Sequence, residues 1–114
     1  MSMVDQKLEL EINLLHTRIC HALADPTRIL IMYYLAEKPY CVNDLVDALK
    51  LPQSTISRHL GILRERSLVK TVREGSSITY TLADHRIIEA LDTMRAILAT
   101  QLANSVEIAQ SLMD

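Results

Sequence analysis

The sequence predicts a mainly α-helical domain that carries one two-stranded β-hairpin. Three observations lead to this fold class. Only 2 glycines and 3 prolines occur among 114 residues, apolar side chains recur at helical spacing along most of the chain, and the spacing changes to alternation after Ser67. The length suits a single domain spanning residues 1–114. Hydrophobic residues at 49% and charged residues at 23% exclude a disordered or collagen-like chain.

The first predicted helix covers about residues 6–24 and has apolar side chains on two faces. Leu10 and Leu14 lie on one side. The opposite side carries a stripe that we expect to pack on the rest of the domain, formed by Leu8, Ile12, Leu15, Ile19 and Leu23. Because a monomer would expose the face of Leu10 and Leu14, this helix predicts a partner subunit.

A second helix is predicted from Pro26 to Ala36. Asp25 offers a side-chain acceptor for the N-cap, and proline is favoured at the first helical position. Lys38-Pro39 ends this helix. We expect it to bury Ile29, Leu30 and either Tyr33 or Tyr34.

Two short helices over about residues 42–66 indicate a helix-turn-helix. The third helix, about residues 42–49, directs Leu45, Val46 and Leu49 inward, and Leu51-Pro52 separates it from the fourth helix, about residues 53–66. The apolar residues of the fourth helix share one stripe, so its opposite side must face outward. The inward stripe is Ile56, Leu60 and Leu63, and the outward side is Ser54, Arg58, Gly61 and Glu65.

The alternating segment predicts a β-hairpin, the wing, over about residues 68–82. Its strands flank Glu74-Gly75-Ser76, where Gly75 can take a positive φ. A last helix, capped by Asp84, is predicted over residues 84–113 and carries Met94, Leu98 and Leu102 on an apolar stripe. We expect a homodimer that forms through this helix and the helix at residues 6–24.

The charges are segregated along the chain. Residues 50–73 contain six basic residues and one acid, Glu65, whereas the remainder has six basic and thirteen acidic residues. A chain with a net charge of -2 can therefore present a local cationic face to phosphates, which act within a Debye length of about 8 Å. On charge alone, a solvated basic face is an equally good interpretation.

The outward side of the fourth helix suits a DNA major groove. Small side chains permit close approach, and Arg58 is long enough for a bidentate contact with guanine O6 and N7. His59 borders the apolar stripe, so we expect it to be packed or to face a phosphate rather than to read a base. The predicted DNA-contacting residues are Gln53, Ser54, Thr55, Ser57, Arg58, His59, Arg64, Lys70 and Arg73.

Three separated motifs resemble the ArsR/SmtB family of winged helix-turn-helix repressors. They are Ala-Leu-Ala-Asp-Pro-Thr-Arg at residues 22–28, Gln-Ser-Thr-Ile-Ser-Arg-His-Leu at residues 53–60, and Arg-Glu-Gly at residues 73–75 with Tyr80. The resemblance implies an obligate homodimer that represses transcription from a double-stranded DNA operator and releases the DNA when an inducer binds. Ser67 stands where the family usually has glycine, and Ser76 stands where it often has a basic residue, which implies weaker contact between the wing and the minor groove.

The sequence matches the metal sites of this family poorly. Of the cysteine pair found at the start of the third helix, only Cys41 is kept, and Asn43 stands in the other position. The zinc site of the last helix is absent, because Asp84 alone matches. His16 and Cys20 lie one helical turn apart and would complete, with Cys41, a three-ligand site for a thiophilic metal ion or a redox-active thiol pair. The simpler interpretation is that both cysteines only pack.

These features predict a sequence-specific transcriptional repressor whose inducer is a thiol-reactive metal or an oxidant. We expect no enzyme, because the sequence has no Gly-rich phosphate loop, metal-hydrolase motif or nucleophile–base signature. We also expect a cytoplasmic protein with reduced thiols and no membrane span, because no signal peptide or long apolar run occurs. The alternative is a winged-helix dimer that binds DNA non-specifically, or binds a protein, without an inducer.

Overall fold

The computed structural model describes residues 3–113. The elements in order are α1 (Gln6–Leu15), a π-helical turn (His16–Cys20), α2 (Pro26–Glu37), α3 (Val42–Leu49), α4 (Gln53–Glu65), β1 (Val69–Glu74), β2 (Ser77–Leu82) and α5 (Arg86–Met113). The chain forms two compact units that divide after Asp84, so that the second unit is essentially α5. This order confirms the predicted fold class, a mainly helical protein with a helix-turn-helix and a two-stranded antiparallel wing.

The first helix differs from its prediction in length and in burial. α1 ends at Leu15. The chain then passes through the π-helical turn and a bend, whereas the sequence predicted one helix to residue 24. No residue of α1 is buried, and Ile12 and Leu15 of the predicted inward stripe are 49% and 47% exposed. The predicted packing of these two residues is wrong, because the helix turns only an edge inward, where Leu8 and Ile19 are half-buried.

The second helix begins as predicted but buries a different stripe. The Asp25 side chain accepts a hydrogen bond from the Thr27 N–H at 2.8 Å and caps the helix. Leu30 is 51% exposed, so its predicted burial is wrong. The buried residues of α2 are Arg28, Ile31, Met32 and Leu35. At about 100° per residue this stripe lies on nearly the opposite side of the helix from the predicted one, and Arg28 points into the core with the apolar residues.

The helix-turn-helix encloses the centre of the core. α3 packs on α4, and α4 also contacts α2 and β1. Leu45 of α3 is fully buried, and the inward stripe predicted for α4 is confirmed by full burial of Ile56, Leu60 and Leu63. Each of these side chains contributes roughly 1.5–3 kcal/mol to stability by leaving water.

Buried residues anchor the wing at its base, and a tight turn closes its tip. Val69 and Leu82 at the base are buried, and Tyr80 exchanges two backbone hydrogen bonds with Tyr40, at 3.2 and 2.7 Å. Gly75 takes a φ of 63°, as predicted, and begins a two-residue loop that closes the hairpin. A left-handed residue at this position is what a tight turn between twisted strands requires.

The long last helix is mostly exposed. α5 has 28 residues, of which only Leu91 is buried. Its exposed apolar side chains are Met94, Ile97, Leu98, Leu102, Val106, Ile108, Leu112 and Met113. Within residues 3–113, no helix combines the length and the apolar character needed to cross a membrane.

A non-glycine residue in left-handed conformation ends α4. Ser67 has a φ of 62°, its N–H bonds to the Arg64 carbonyl at 3.0 Å, and the N–H of Leu68 bonds to the Leu63 carbonyl at 2.9 Å. This pair of bonds is a Schellman motif, whose left-handed position favours glycine. The buried Leu63 and Leu68 flank the motif and fix the direction in which the chain enters the wing.

We predict that Ser67→Gly stabilises the protein by about 0.5–1 kcal/mol, because relief of the left-handed strain exceeds the added freedom of the unfolded chain. Urea unfolding measures the change. Ser76→Gly is the matched control, because Ser76 has no positive φ. This control should be neutral or destabilising, and an equal gain in both variants would contradict the strain at Ser67.

Candidate nucleic-acid interface

The exposed face of α4 has small and polar side chains around one arginine. Arg58 is exposed, whereas its neighbours Ile56 and Leu60 are buried. Apart from Gly61 itself, its two chain neighbours and the adjacent helix backbone, no heavy atom lies within 4 Å of the position that a Cβ on Gly61 would occupy, so the helix surface is open there. The other exposed residues of this face are Ser54, Ser57 and Glu65. Such a surface can approach the edges of bases in a major groove closely.

The N-terminus of α4 is open to an anion. The helix begins at Gln53 after Pro52, and no side chain caps it. Gln53 and Ser54 are exposed, and Thr55 is half-buried. Uncapped N–H groups and the helix dipole favour negative charge at this end, as a DNA phosphate would supply. A contact of this kind positions a helix without reading sequence.

Most of the predicted DNA-contacting residues are exposed, but His59 is not. The exposed residues are Gln53, Ser54, Ser57, Arg58, Arg64, Lys70 and Arg73. His59 is only 3% exposed and lies in the core. Its place in the predicted contact set is corrected here, because the side chain points toward α2 and away from the open face of α4.

The partner of His59 is a buried arginine. Arg28 is 7% exposed, and its Nη1 lies 3.2 Å from Nδ1 of His59. The Arg28 Nε donates to the Ala22 carbonyl at 2.6 Å, and Nη2 donates to the His21 carbonyl at 3.4 Å. Because two carbonyls hold the guanidinium, it offers His59 a fixed donor that links the turn before α2 to α4.

Asp25 supplies negative charge close to this buried arginine. Burial favours a higher pKa for Asp25, but hydrogen bonds from the N–H groups of Thr27 and Arg28 outweigh it. Positive charge on His59 and on Arg28 also favours the carboxylate, and the net effect lowers the pKa of Asp25 below its usual range. Asp25 therefore stays ionised, caps α2 and balances part of the charge on Arg28.

In the folded protein His59 is mainly neutral at neutral pH. Burial lowers its pKa, the charge of Asp25 acts in the opposite direction, and the charges of Arg58 and Arg28 lower it further. A guanidinium can only donate, so Nδ1 of His59 must be the acceptor and the ring proton resides on Nε2. The tautomer is thus set by Arg28.

The two basic residues of the wing lie on opposite faces. The strand register pairs Arg73 with Ile78 and Lys70 with Thr81. Ile78 and Gln53 both line a cavity of about 290 Å³ between the wing and the starts of α3 and α4. Because alternate residues of a strand share a face, Arg73 lies on the same face as the buried Val69 of β1, which contacts α4, and Lys70 lies on the other face.

The candidate sensor residues are not brought together. His16 and Cys20 are exposed, Cys41 is half-buried, and both cysteines are free thiols. Among residues 3–113, no group of three or more His, Cys, Asp or Glu side chains is arranged to hold a metal ion. Cys41 instead precedes α3 and lines the cavity between the wing and α4.

Sequence reasoning missed the role of Arg28. A charged side chain is normally expected at the surface, and the partner of Arg28 lies 31 residues away in sequence. The available signal was the motif itself, in which Arg28 follows the Asp25 cap by one turn and shares the face of Ile31 and Leu35.

We predict that Arg28→Lys destabilises the protein by about 2–3 kcal/mol. The three acceptors surround three separate nitrogens of the guanidinium, and the single nitrogen of an ammonium cannot reach all of them. Urea unfolding at neutral pH measures the loss. Arg95→Lys is the matched control, because Arg95 makes an exposed ion pair with Asp92 at 3.0 Å. The control should change stability by less than about 0.5 kcal/mol, and a similar loss in both variants would contradict the account.

We predict that acid weakens the fold through His59. The folded state holds the pKa of His59 below that of the unfolded chain. The stability due to neutral His59 is therefore complete above about pH 6.5 and falls as the pH decreases toward the folded pKa. In His59→Asn an amide can accept from Arg28 and does not titrate. The free energy of unfolding should fall more in the wild type than in this variant between about pH 7 and pH 5, and parallel curves would exclude His59 as the cause.

Comparison with known proteins places this scaffold among transcriptional regulators. The family described as bacterial regulatory protein, arsR family, matches residues 25–71. The transcriptional repressor SmtB of Mycobacterium tuberculosis is 45% identical over 69 residues, which are 60% of this chain and 51% of that protein. The chain thus spans about half the length of this relative.

Two other relatives are matched over most of their length. An uncharacterised HTH-type transcriptional regulator of Methanocaldococcus jannaschii is 43% identical over 74 residues, which are 64% of this chain and 83% of that protein. The crystal structure of Rv0081 from M. tuberculosis superposes with a TM-score of 0.72 at 30% identity and covers 90% of this chain and 99% of that one. The named relatives are regulators, in agreement with the expectation that the chain is not an enzyme. Its motifs, fold and relatives together show that the chain belongs to the arsR family of bacterial regulatory proteins.

Proposed function

We propose that this protein is a transcriptional repressor that binds double-stranded DNA by inserting α4 into the major groove. The observation that carries the proposal is the open face of α4, where Arg58 projects from a surface of serines and glycine. Arginine is the residue that most often reads guanine, and small neighbours let it reach the base edge. The SmtB relative of M. tuberculosis is itself named a transcriptional repressor, which supports this assignment.

Charge supports the same face. The basic residues of the segment 50–73 are exposed or half-buried on α4, the loops around it and the wing. DNA binding by such a surface releases counterions, and the affinity should fall steeply with salt. The acidic remainder of the chain repels phosphates and so restricts DNA to this face.

The proposal includes a homodimer. In the first unit, a groove of about 840 Å³ between α1, the π-helical turn and the end of α4 is lined by Leu14, Leu15, Ile19 and Leu68 among other residues. α5 separately exposes an apolar row from Met94 onward. Apolar surface on this scale is typical of interfaces, and a two-fold dimer would present two copies of α4 to a pseudo-palindromic operator.

We propose no inducer for this protein. His16, Cys20 and Cys41 do not form a metal-binding group within residues 3–113. The response to a thiol-reactive metal or an oxidant stays a prediction from the sequence. The binding of DNA is therefore the activity to measure first.

Fluorescence anisotropy with labelled DNA tests the proposed function. The specific probe is the duplex upstream of the protein's own gene, and the control is a random duplex of equal length. A repressor should prefer the upstream duplex by roughly 10³-fold or more at physiological salt. Equal affinities would instead identify a non-specific DNA-binding protein.

We predict that Arg58→Ala costs about 1–3 kcal/mol of binding free energy on the upstream duplex and less on random DNA, because it removes a base contact. Arg64→Ala is the matched control on the same helix. We expect Arg64 to contact a phosphate, so Arg64→Ala should lower affinity equally on both duplexes. An equal loss for Arg58→Ala would demote that residue to a phosphate contact.

We predict that Arg73→Ala lowers the salt slope of binding by about one, because the face of Arg73 is turned toward α4. Lys70, also a predicted contact, lies on the opposite face, so Lys70→Ala should lower the slope by less than Arg73→Ala. The slope is taken from affinities over a series of salt concentrations. Equal slopes for the two variants would show that both faces of the wing, or neither, meet DNA.

A further inference from the structure

We propose that Arg28 and His59 form a proton-sensitive positioning pair for the recognition helix, so that acid weakens DNA binding from inside the core. The pair contacts no DNA and acts through the orientation of α4. The inference rests on the proposed DNA-binding function of α4.

The geometry gives the pair control over Arg58. His59 follows Arg58 directly on α4 but points into the core, where it is 3% exposed. Its Nδ1 is held 3.2 Å from Nη1 of Arg28, which the carbonyls of Ala22 and His21 hold in turn. Adjacent residues of a helix point about 100° apart, so the position of the His59 side chain sets the direction in which Arg58 leaves the helix.

Protonation of His59 breaks its hydrogen bond with Arg28. In the neutral ring Nε2 carries the proton and the lone pair of Nδ1 accepts from Arg28. A second proton can bind only at Nδ1, where it replaces the lone pair with an N–H donor. Two donors and two positive charges then face each other across the former hydrogen bond. The bond is lost, and His59 must move away from Arg28.

Few other charges act on this pair. Among the described residues, the charged groups acting on His59 are Asp25, Arg58 and Arg28. Asp25 and Arg28 belong to the start of α2, and Arg58 belongs to α4 itself. α3 and β1 also pack on α4 but supply no charged group that acts on His59. Two positive neighbours against one carboxylate leave the imidazolium poorly compensated.

The exposed histidines make the effect distinguishable. His16, His21 and His85 lie on the surface. Positive charge added at the protein surface attracts DNA and would raise affinity or leave it unchanged. A loss of affinity in acid therefore has the direction opposite to that of added surface charge.

The test compares wild type with His59→Asn, whose amide oxygen can replace the Nδ1 acceptor and does not titrate. Affinity for the upstream duplex is measured by anisotropy at about pH 7.5 and pH 5.5. The readout is the ratio of the two affinities for each protein, so a change in absolute affinity does not enter. We expect the wild type to lose about threefold or more and the variant to lose less than about half as much on a logarithmic scale.

The free protein supplies a second readout. In NMR spectra without DNA, the amide signals of residues 53–60 should shift with acid in the wild type and stay nearly constant in His59→Asn. Equal affinity ratios in the two proteins, or equal amide shifts, would overturn the positioning pair. Failure of the wild type to bind either duplex at neutral pH would overturn the proposed function, and the amide shifts would still decide whether protonation moves α4.

Discussion

The buried guanidinium of Arg28 is the interaction on which the DNA-reading unit depends. It joins the turn before α2 and the first turn of α2 to the centre of α4, which is 31 residues away in sequence. An arginine in a core is costly unless each of its donor nitrogens finds an acceptor and a nearby anion balances its charge. Two carbonyls, His59 and the ionised Asp25 meet these requirements. The same arrangement explains why Asp25 and Arg28 occur together in the motif.

The apolar core and Arg28 together fix the orientation of α4. Ile56, Leu60 and Leu63 press one side of α4 against α2 and α3, and this leaves the side of Arg58 open. The Schellman motif at Ser67 then redirects the chain so that the wing starts beside α4. Fold stability and the presentation of the DNA-reading surface therefore have the same physical origin.

Local patterns predicted most of the fold. The apolar stripe and outward side of α4, the Asp25 cap and the turn at Gly75 each depend on neighbours within a few residues, and the structure bears them out. The predictions failed where distant contacts decide. Leu30 is exposed because Arg28 takes an inward position, and the choice between core and surface for His59 depends on a partner in another helix. The face of each wing residue likewise required the strand register.

The most direct test of the account is an NMR titration of the protein with its upstream duplex. The account predicts that the largest amide shifts fall on α4 from Gln53 to Gly61 and on the wing near Arg73. Shifts confined to α1 or α5, with α4 unchanged by saturating DNA, would contradict the claim that α4 is the reading element.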